Sequence, residues 1–163
     1  EKLILSYHGI PNKYFKKGDI YHCFCQKTSR LIKEKLNLKD NEILTTFQSR
    51  LGPSEWLTPY TDETIISLAN NNLENMDIFS PGFASDCLET IEELGIENKE
   101  NFLENGGKNY NLIPCLNDSQ YFISAISDII LENTAHWNSR FGINIDSDIE
   151  KSNEIANNYI AKK

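Results

Sequence analysis

No two cysteines of this chain stand at CxxC spacing. Cys23, Cys25, Cys87 and Cys115 are scattered instead, so neither a zinc site nor the disulfide framework of a small secreted domain is favoured, and a reducing cytoplasm fits best. Positive charge is scarce. Sixteen Lys and Arg face 24 Asp and Glu, a net charge of −8, which argues against nucleic acid and against a simple electrostatic hold on anionic lipid. A cation is the natural partner of such a surface. No run approaches the ~20 apolar residues of a membrane span, and no charged stretch leads into an apolar one as in a secretion signal. An initiator Met is missing as well: Glu1 runs at once into strand-like sequence, so the chain is expected to be a piece of a longer one. Repeats and low-complexity segments are absent too. At 163 residues the chain suits one domain able to bury a core.

Short apolar runs, which read as strands, lie near residues 2–8 (KLILSYH), 42–49 (EILTTFQS), 76–81 (MDIFSP) and 110–115 (YNLIPC). They are continuous rather than alternating, as in strands covered on both faces. Helical patterns separate them. One covers 26–36 and ends at Asn37; another covers 61–71 behind Thr61 or Asp62 as N-cap; a third runs from about Asp86 to Asn105 and stops at Gly106-Gly107. The fourth sets Phe122, Ile123, Ile126, Ile129 and Ile130 on one stripe behind an Asp118 cap. The order βαβαβαβα predicts an α/β fold, three layers around a four-stranded parallel sheet with right-handed crossovers. Beyond Trp137 the chain turns polar, with Ile149, Ile155, Ala156, Tyr159 and Ile160 at roughly helical intervals.

Ligands of open parallel sheets bind beyond the carboxyl ends of the strands. Those ends carry Ser6-Tyr7-His8-Gly9, Gln48-Ser49-Arg50, Pro81-Gly82-Phe83 and Cys115-Leu116-Asn117-Asp118, so topology alone gathers four polar clusters on one rim. His8 there is a candidate base or divalent-metal ligand; the plainer alternative is a histidine satisfied by backbone at a strand end. Glu89, Glu93 and Glu97 stand four residues apart on one helical face, where like charges repel by a few tenths of a kcal/mol per pair. Asp86 and Glu89 match a capping box, which would account for Glu89 alone; a solvated stripe would account for the other two. A carboxylate ladder from rim to surface would instead pass metal ions or protons. Residues 9–25, with Tyr14, Phe15, Tyr21 and Phe24, form a connection long enough to suggest a functional loop, and Trp56 in a second loop offers a flat apolar wall. Packing beneath the loops is the alternative for these rings. Cys23 and Cys25 are too sparse to define a metal site.

Taken together, LSYHGIP, KGDIYHCFCQKT, TFQSRLGPSEWLTPYTDET, PGFASDCLETIEEL and IPCLNDS resemble the carboxyl-terminal half of a bacterial ferrochelatase, from Leu3 to about Ile130. That family inserts ferrous iron into protoporphyrin IX, the last step of haem synthesis, in a cleft between two similar α/β halves. The resemblance implies that residues 1–137 form the carboxyl-terminal half, with 138–163 a polar segment helical in part and the amino-terminal half absent from this chain. It implies His8 and Glu89 as catalytic residues and His8, Glu89, Glu93 and Glu97 as metal contacts, on a helix partly wound as a π-helix. Tyr21, Gln48, Ser49, Arg50, Trp56, Phe83 and Cys87 would border the porphyrin, Cys87 standing where animal enzymes have His. Protoporphyrin IX and Fe²⁺ are the expected partners, with Fe²⁺ as substrate. No resident cofactor is implied, and no iron–sulfur cluster, since no Cys follows Cys115. The expected location is cytoplasmic, with peripheral association to the inner membrane left open. Two other readings stay open: a non-catalytic metal- or tetrapyrrole-binding half-domain, and a chelatase for coproporphyrin or another metal.

Overall fold

The computed structural model describes residues 1–141 together with residues 150, 151 and 154. The expected polar segment around Ile149 and Ile155–Ile160 lies outside the described residues. Four parallel strands form the sheet: β1 (Lys2–His8), β2 (Ile43–Gln48), β3 (Asn75–Phe79) and β4 (Asn109–Leu112), in the order β2-β1-β3-β4. The chain runs outward from β1 to β2, then crosses back to β3. The carboxyl ends of β1 and β3 therefore flank the switch point at which doubly wound sheets bind ligands.

Side chains of β1 alternate between two cores, as the pleat dictates. Ile4 packs with Met76 and Ile78 against Ile65 and Ala69 of α3 (Thr61–Asn70), Leu94 of a π-helix (Glu89–Glu97) and Phe102 of α4 (Asn98–Glu104). Leu5 and Tyr7 face the other way, onto Cys25, Phe47 and Leu57, with Tyr21 and Ile32 of α2 (Tyr21–Leu36) beside them. Both faces of β1 are covered, which explains why its apolar run is continuous. Asn37 takes the left-handed conformation (φ 55°) that ends α2, the role a C-terminal Asn plays in place of Gly.

The connection after β1 is more regular than its sequence suggests. It holds a short helix, α1 (Asn12–Lys16), and α2 starts at Tyr21 rather than at residue 26. The face of α2 that turns inward carries Tyr21, Cys25, Ser29 and Ile32, combining apolar packing with hydrogen bonds of Tyr21 and Ser29. Ser29 Oγ lies 3.1 Å from Tyr7 Oη and accepts from Thr45 Oγ1 at 2.7 Å.

Two expected caps give way to longer-range bonds. Tyr60, not Thr61 or Asp62, is the N-cap of α3, because Thr61 is buried and its hydroxyl donates to Thr46 Oγ1 at 2.9 Å. The Asp86–Glu89 capping box does not form either: the Asp86 amide donates to Asn117 Oδ1 at 2.9 Å, and its carboxylate accepts from Asn117 Nδ2 at 2.7 Å.

The chain divides into compact units at Asp118 and Ser119. In the second unit α5 (Gln120–Phe141) is capped by Ser119 rather than Asp118, with Phe122 N donating to Ser119 Oγ at 3.4 Å. Phe122 and Ile126 are half-buried, while Ile123, Ile129 and Ile130 are exposed.

Candidate functional site

Three chain segments converge beside the switch point. His8 ends β1, and its imidazole lies between two rings: the centroids of Trp56 and Phe83 are each 6.4 Å from it. Trp56 is brought there by a short antiparallel bridge between the loops after β1 and β2, Asn12 N donating to Glu55 O at 2.8 Å and Leu57 N to Ile10 O at 3.0 Å. Gly9 lets the two loops close. A Cβ at that position would stand 3.0 Å from Gln48 O and 3.2 Å from Trp56 Cε3.

His8 Nδ1 lies 2.7 Å from Gly9 O. A carbonyl can only accept, so Nδ1 carries a proton, which leaves Nε2 as the ring nitrogen able to exchange one. Tyr21 Oη donates to His8 O at 2.8 Å, fixing the backbone from below. Tyr21, Trp56 and Phe83 are thus all gathered around His8. The Tyr21 hydroxyl is pushed well above its ordinary value, first by burial, and remains a neutral donor.

The opposite wall is the π-helix, wider than an α-helix because its bonds run i→i+5. It begins at Glu89 and ends at Glu97, so the three glutamates mark its start, middle and end. The Glu89 carboxyl is held below its ordinary value, first by a hydrogen bond from Cys87 and further by its own backbone and by the charge of His8. The Glu89 carboxylate and the His8 imidazole thus lie close enough to interact electrostatically, a pairing that suits proton transfer or transient binding of a divalent cation.

Glu93 is treated differently. Ser49 N donates to its Oε1 at 2.7 Å and Ser49 Oγ to its Oε2 at 2.5 Å. Ser49 can aim both donors only by adopting a left-handed backbone, φ 64°. That conformation costs roughly 1–2 kcal/mol for a non-Gly residue, less than two hydrogen bonds to a charged group contribute, at about 1.5–3 kcal/mol each. Glu97 is exposed and shares with Glu93, Ser49 and Asn98 a pocket of about 210 Å³. Asn98 is 2% exposed; its Nδ2 donates to Glu93 O at 2.8 Å, while its buried Oδ1 has no partner among the described residues. Among those residues no three His, Cys, Asp or Glu side chains form a ready metal cage; the glutamates are strung out instead.

Two residues expected at the porphyrin edge are held by protein partners. Gln48 is 3% exposed and its amide is spent on protein partners. Arg50 lies over the Tyr60 ring, 4.1 Å from its centroid, with its guanidinium on Asp62 and Glu63 at 2.7 Å each. Ser6 and Asn117, which sequence reasoning placed in the rim clusters without a role, and Ser80, which it passed over, support the rim. The one signal they gave was a hydroxyl or amide inside or just past an apolar strand.

The ferrochelatase family model matches residues 1–134. The chain belongs to the ferrochelatase family. It is 53% identical over 137 residues to a ferrochelatase of Marinobacter nauticus, covering 84% of this chain and 37% of that protein. The corresponding figures are 53%, 84% and 38% for Idiomarina loihiensis and 49%, 84% and 40% for Agrobacterium fabrum. The chain thus spans well under half the length of these ferrochelatase relatives. A crystal structure of a CbiX protein from Marinobacter aquaeolei VT8, assigned to cobalamin biosynthesis, superposes with a TM-score of 0.52 at 13% identity, over 83% of this chain and 98% of that one. At that identity the likeness concerns the fold alone.

Proposed function

We propose that this chain supplies the wall of a ferrochelatase cleft that presents His8 and Glu89 to the centre of protoporphyrin IX, where Fe²⁺, as substrate, replaces two pyrrole protons. The observation that carries this reading is the pairing of the His8 imidazole, held at Nδ1 by Gly9 O and flanked by Trp56 and Phe83, with a Glu89 carboxyl whose ionised form is favoured. Metalation must take two protons off the macrocycle and strip water from the ion while the planar ring hides its lone pairs. Flat apolar rings favour a planar macrocycle, and binding energy spent on holding it distorted lowers the barrier. His8 and Glu89 then serve as proton acceptor and cation-transfer group near the ring centre.

Glu93, Glu97 and Asn98 Oδ1 add only oxygen acceptors around one pocket. Hard oxygen ligands without a closed cage hold Fe²⁺ long enough to guide it and weakly enough to release it. The reading needs no resident cofactor and no iron–sulfur cluster. Among the described residues no helix is long and apolar enough to cross a membrane, and Cys23, Cys25, Cys87 and Cys115 are free thiols; a cytoplasmic enzyme, at most peripheral to the inner membrane, agrees with both.

The test places this chain in the Marinobacter nauticus relative, in exchange for the 137-residue stretch it matches, and measures Fe²⁺ and Zn²⁺ insertion into protoporphyrin and coproporphyrin. His8→Ala and Glu89→Gln should each lower turnover by at least about a hundredfold, the lower range for a positioned acid or base. Undiminished turnover in both variants sinks the reading. Porphyrin binding without insertion by the unsubstituted enzyme selects the non-catalytic alternative.

A further inference from the structure

Gln48 occupies an unusual position: it bonds to both halves of the proposed site at once. Its backbone carbonyl accepts from Gly9 N at 2.8 Å, and Gly9 is the residue whose own carbonyl holds the His8 ring proton. Its side chain reaches the opposite wall. Nε2 donates to Glu89 O at 2.9 Å, while Oε1 accepts from Ser6 Oγ at 2.7 Å and Ser80 Oγ at 3.3 Å. Ser6 belongs to β1, Gln48 to β2, and Ser80 directly follows β3. Three neighbouring strands are therefore tied through one buried amide to the first residue of the π-helix.

That linkage is more than local support. In the β1–β2 register Gln48 stands directly opposite His8. The backbone fixes the imidazole on one side, and five atoms further on the side-chain amide fixes the Glu89 carbonyl. The π-helix has no side-chain cap at its start, and the Gln48 amide is the side-chain bond made directly to Glu89 O from the sheet. A buried amide with both ends satisfied is also rigid. Moving it would strip the Ser80 hydroxyl of its partner in a buried place, at about 1–3 kcal/mol, and remove one bond each from Ser6 and Glu89 O.

We infer that Gln48 is a positioning residue that sets the separation of His8 and Glu89, rather than a group that touches the porphyrin. The inference rests on the role assigned to His8 and Glu89 above. It differs from simple structural support in one respect: losing the amide should disturb the reacting geometry more than porphyrin binding or stability. Misplacing a reacting group by about 1 Å costs on the order of a hundredfold in rate.

The experiment uses the same full-length exchange enzyme with Gln48→Met, which keeps the side-chain length and removes both bonding atoms. The expected result is a kcat for Zn²⁺ insertion lowered about ten- to a hundredfold, with the porphyrin KM within twofold of the unsubstituted value. Ser6→Ala, which frees only one tie to Oε1, should lower kcat by a few-fold with KM again unchanged. It serves as the deciding variant should Gln48→Met not fold. A kcat within twofold in the folded variant, or a fall accompanied by a comparable rise in porphyrin KM, overturns the inference. Retained turnover in His8→Ala and Glu89→Gln removes its foundation instead. Loss of turnover in those two with none in the Gln48 and Ser6 variants refutes the positioning role alone.

Discussion

The same four strands carry two very different regions. Beneath α3, the π-helix and α4 the packing is apolar and closed: Ile4 and Ile78 of the strands and Ile65, Leu94 and Phe102 of those helices are fully buried. At the carboxyl rim, one or two residues further along, the buried side chains are Ser6, Thr46, Gln48, Thr61 and Ser80, each held by hydrogen bonds. Apolar packing is non-directional and tolerates small shifts, whereas a hydrogen-bonded amide fixes distance and angle. The core therefore holds the sheet together, and the polar rim aims what the sheet presents.

This contrast is most open to attack at Phe102. Its ring packs against Tyr110, centroids 5.9 Å apart, and so close to Gly107 that a Cβ there would stand 2.2 Å from it. Phe102→Ala should cost about 3–5 kcal/mol of stability through lost burial and a residual cavity. In thermal unfolding of the full-length enzyme it should lower Tm by several degrees, while kcat at a temperature where the variant stays folded changes less than twofold. A large kcat loss in the folded variant would mean that the core aims the site too, and the division drawn here would fail.

Gly9 probes the rim with a smaller expected effect. Gly9→Ala puts a methyl at 3.0 Å from Gln48 O and 3.2 Å from Trp56 Cε3. The carbonyl belongs to the sheet and cannot retreat, so the indole must. Overpacking of this kind costs roughly 1–3 kcal/mol, most of it relieved by rotation of the half-buried Trp56. The expected outcome is a porphyrin KM raised several-fold with Tm lowered by no more than a few degrees. An unchanged KM with a large Tm loss would place Gly9 with the core.

The two regions also differ in how well the sequence announced them. β1 was legible because burial on both faces leaves a continuous apolar run, whereas β4, expected to be covered on both faces, alternates exposed Asn109 and Asn111 with half-buried Tyr110 and Leu112; Asn37 was legible as a helix stop because Asn tolerates the left-handed conformation. Even the π-helix was expected, though from the family resemblance and not from periodicity. The start of α2 was hidden, since Tyr21, Cys25 and Ser29 do not look like an inward face until Tyr7, Thr45 and the His8 carbonyl are brought to them. At the rim, His8, Phe83 and the helix bearing Glu89 were legible as a group from strand-end topology, while Trp56 joined them only through the family resemblance. The protein partners of Gln48 and Arg50 were not legible: a polar side chain at a strand end reads as ligand-facing until those partners, here Ser6, Ser80 and Glu89 O or Asp62 and Glu63, are brought within reach.

Asp86 offers the finest test of the contrast, because a rim held by charge-assisted bonds should be sensitive to acid where an apolar core is not. Its carboxylate accepts from Asn117 Nδ2 at 2.7 Å, Thr90 Oγ1 at 3.1 Å and Cys115 N at 3.2 Å, bonds that tie the approach to the π-helix to the loop after β4. They hold its carboxyl below the ordinary value, Asn117 contributing most. The unfolded chain, with Asp86 at its ordinary pKa near 4, then takes up the proton before the folded one does. Stability from this group is therefore complete above that pH and is lost as pH falls through the lowered folded-state value. Asp86→Asn should melt a degree or two below the unsubstituted enzyme at pH 6, and the gap should narrow steadily towards pH 3. Phe102→Ala, measured alongside, should show a deficit that does not narrow over the same range. A gap for Asp86→Asn that stays constant from pH 6 to pH 3 would mean that the amide loses shape rather than charge, and that this corner of the rim is packed like the core.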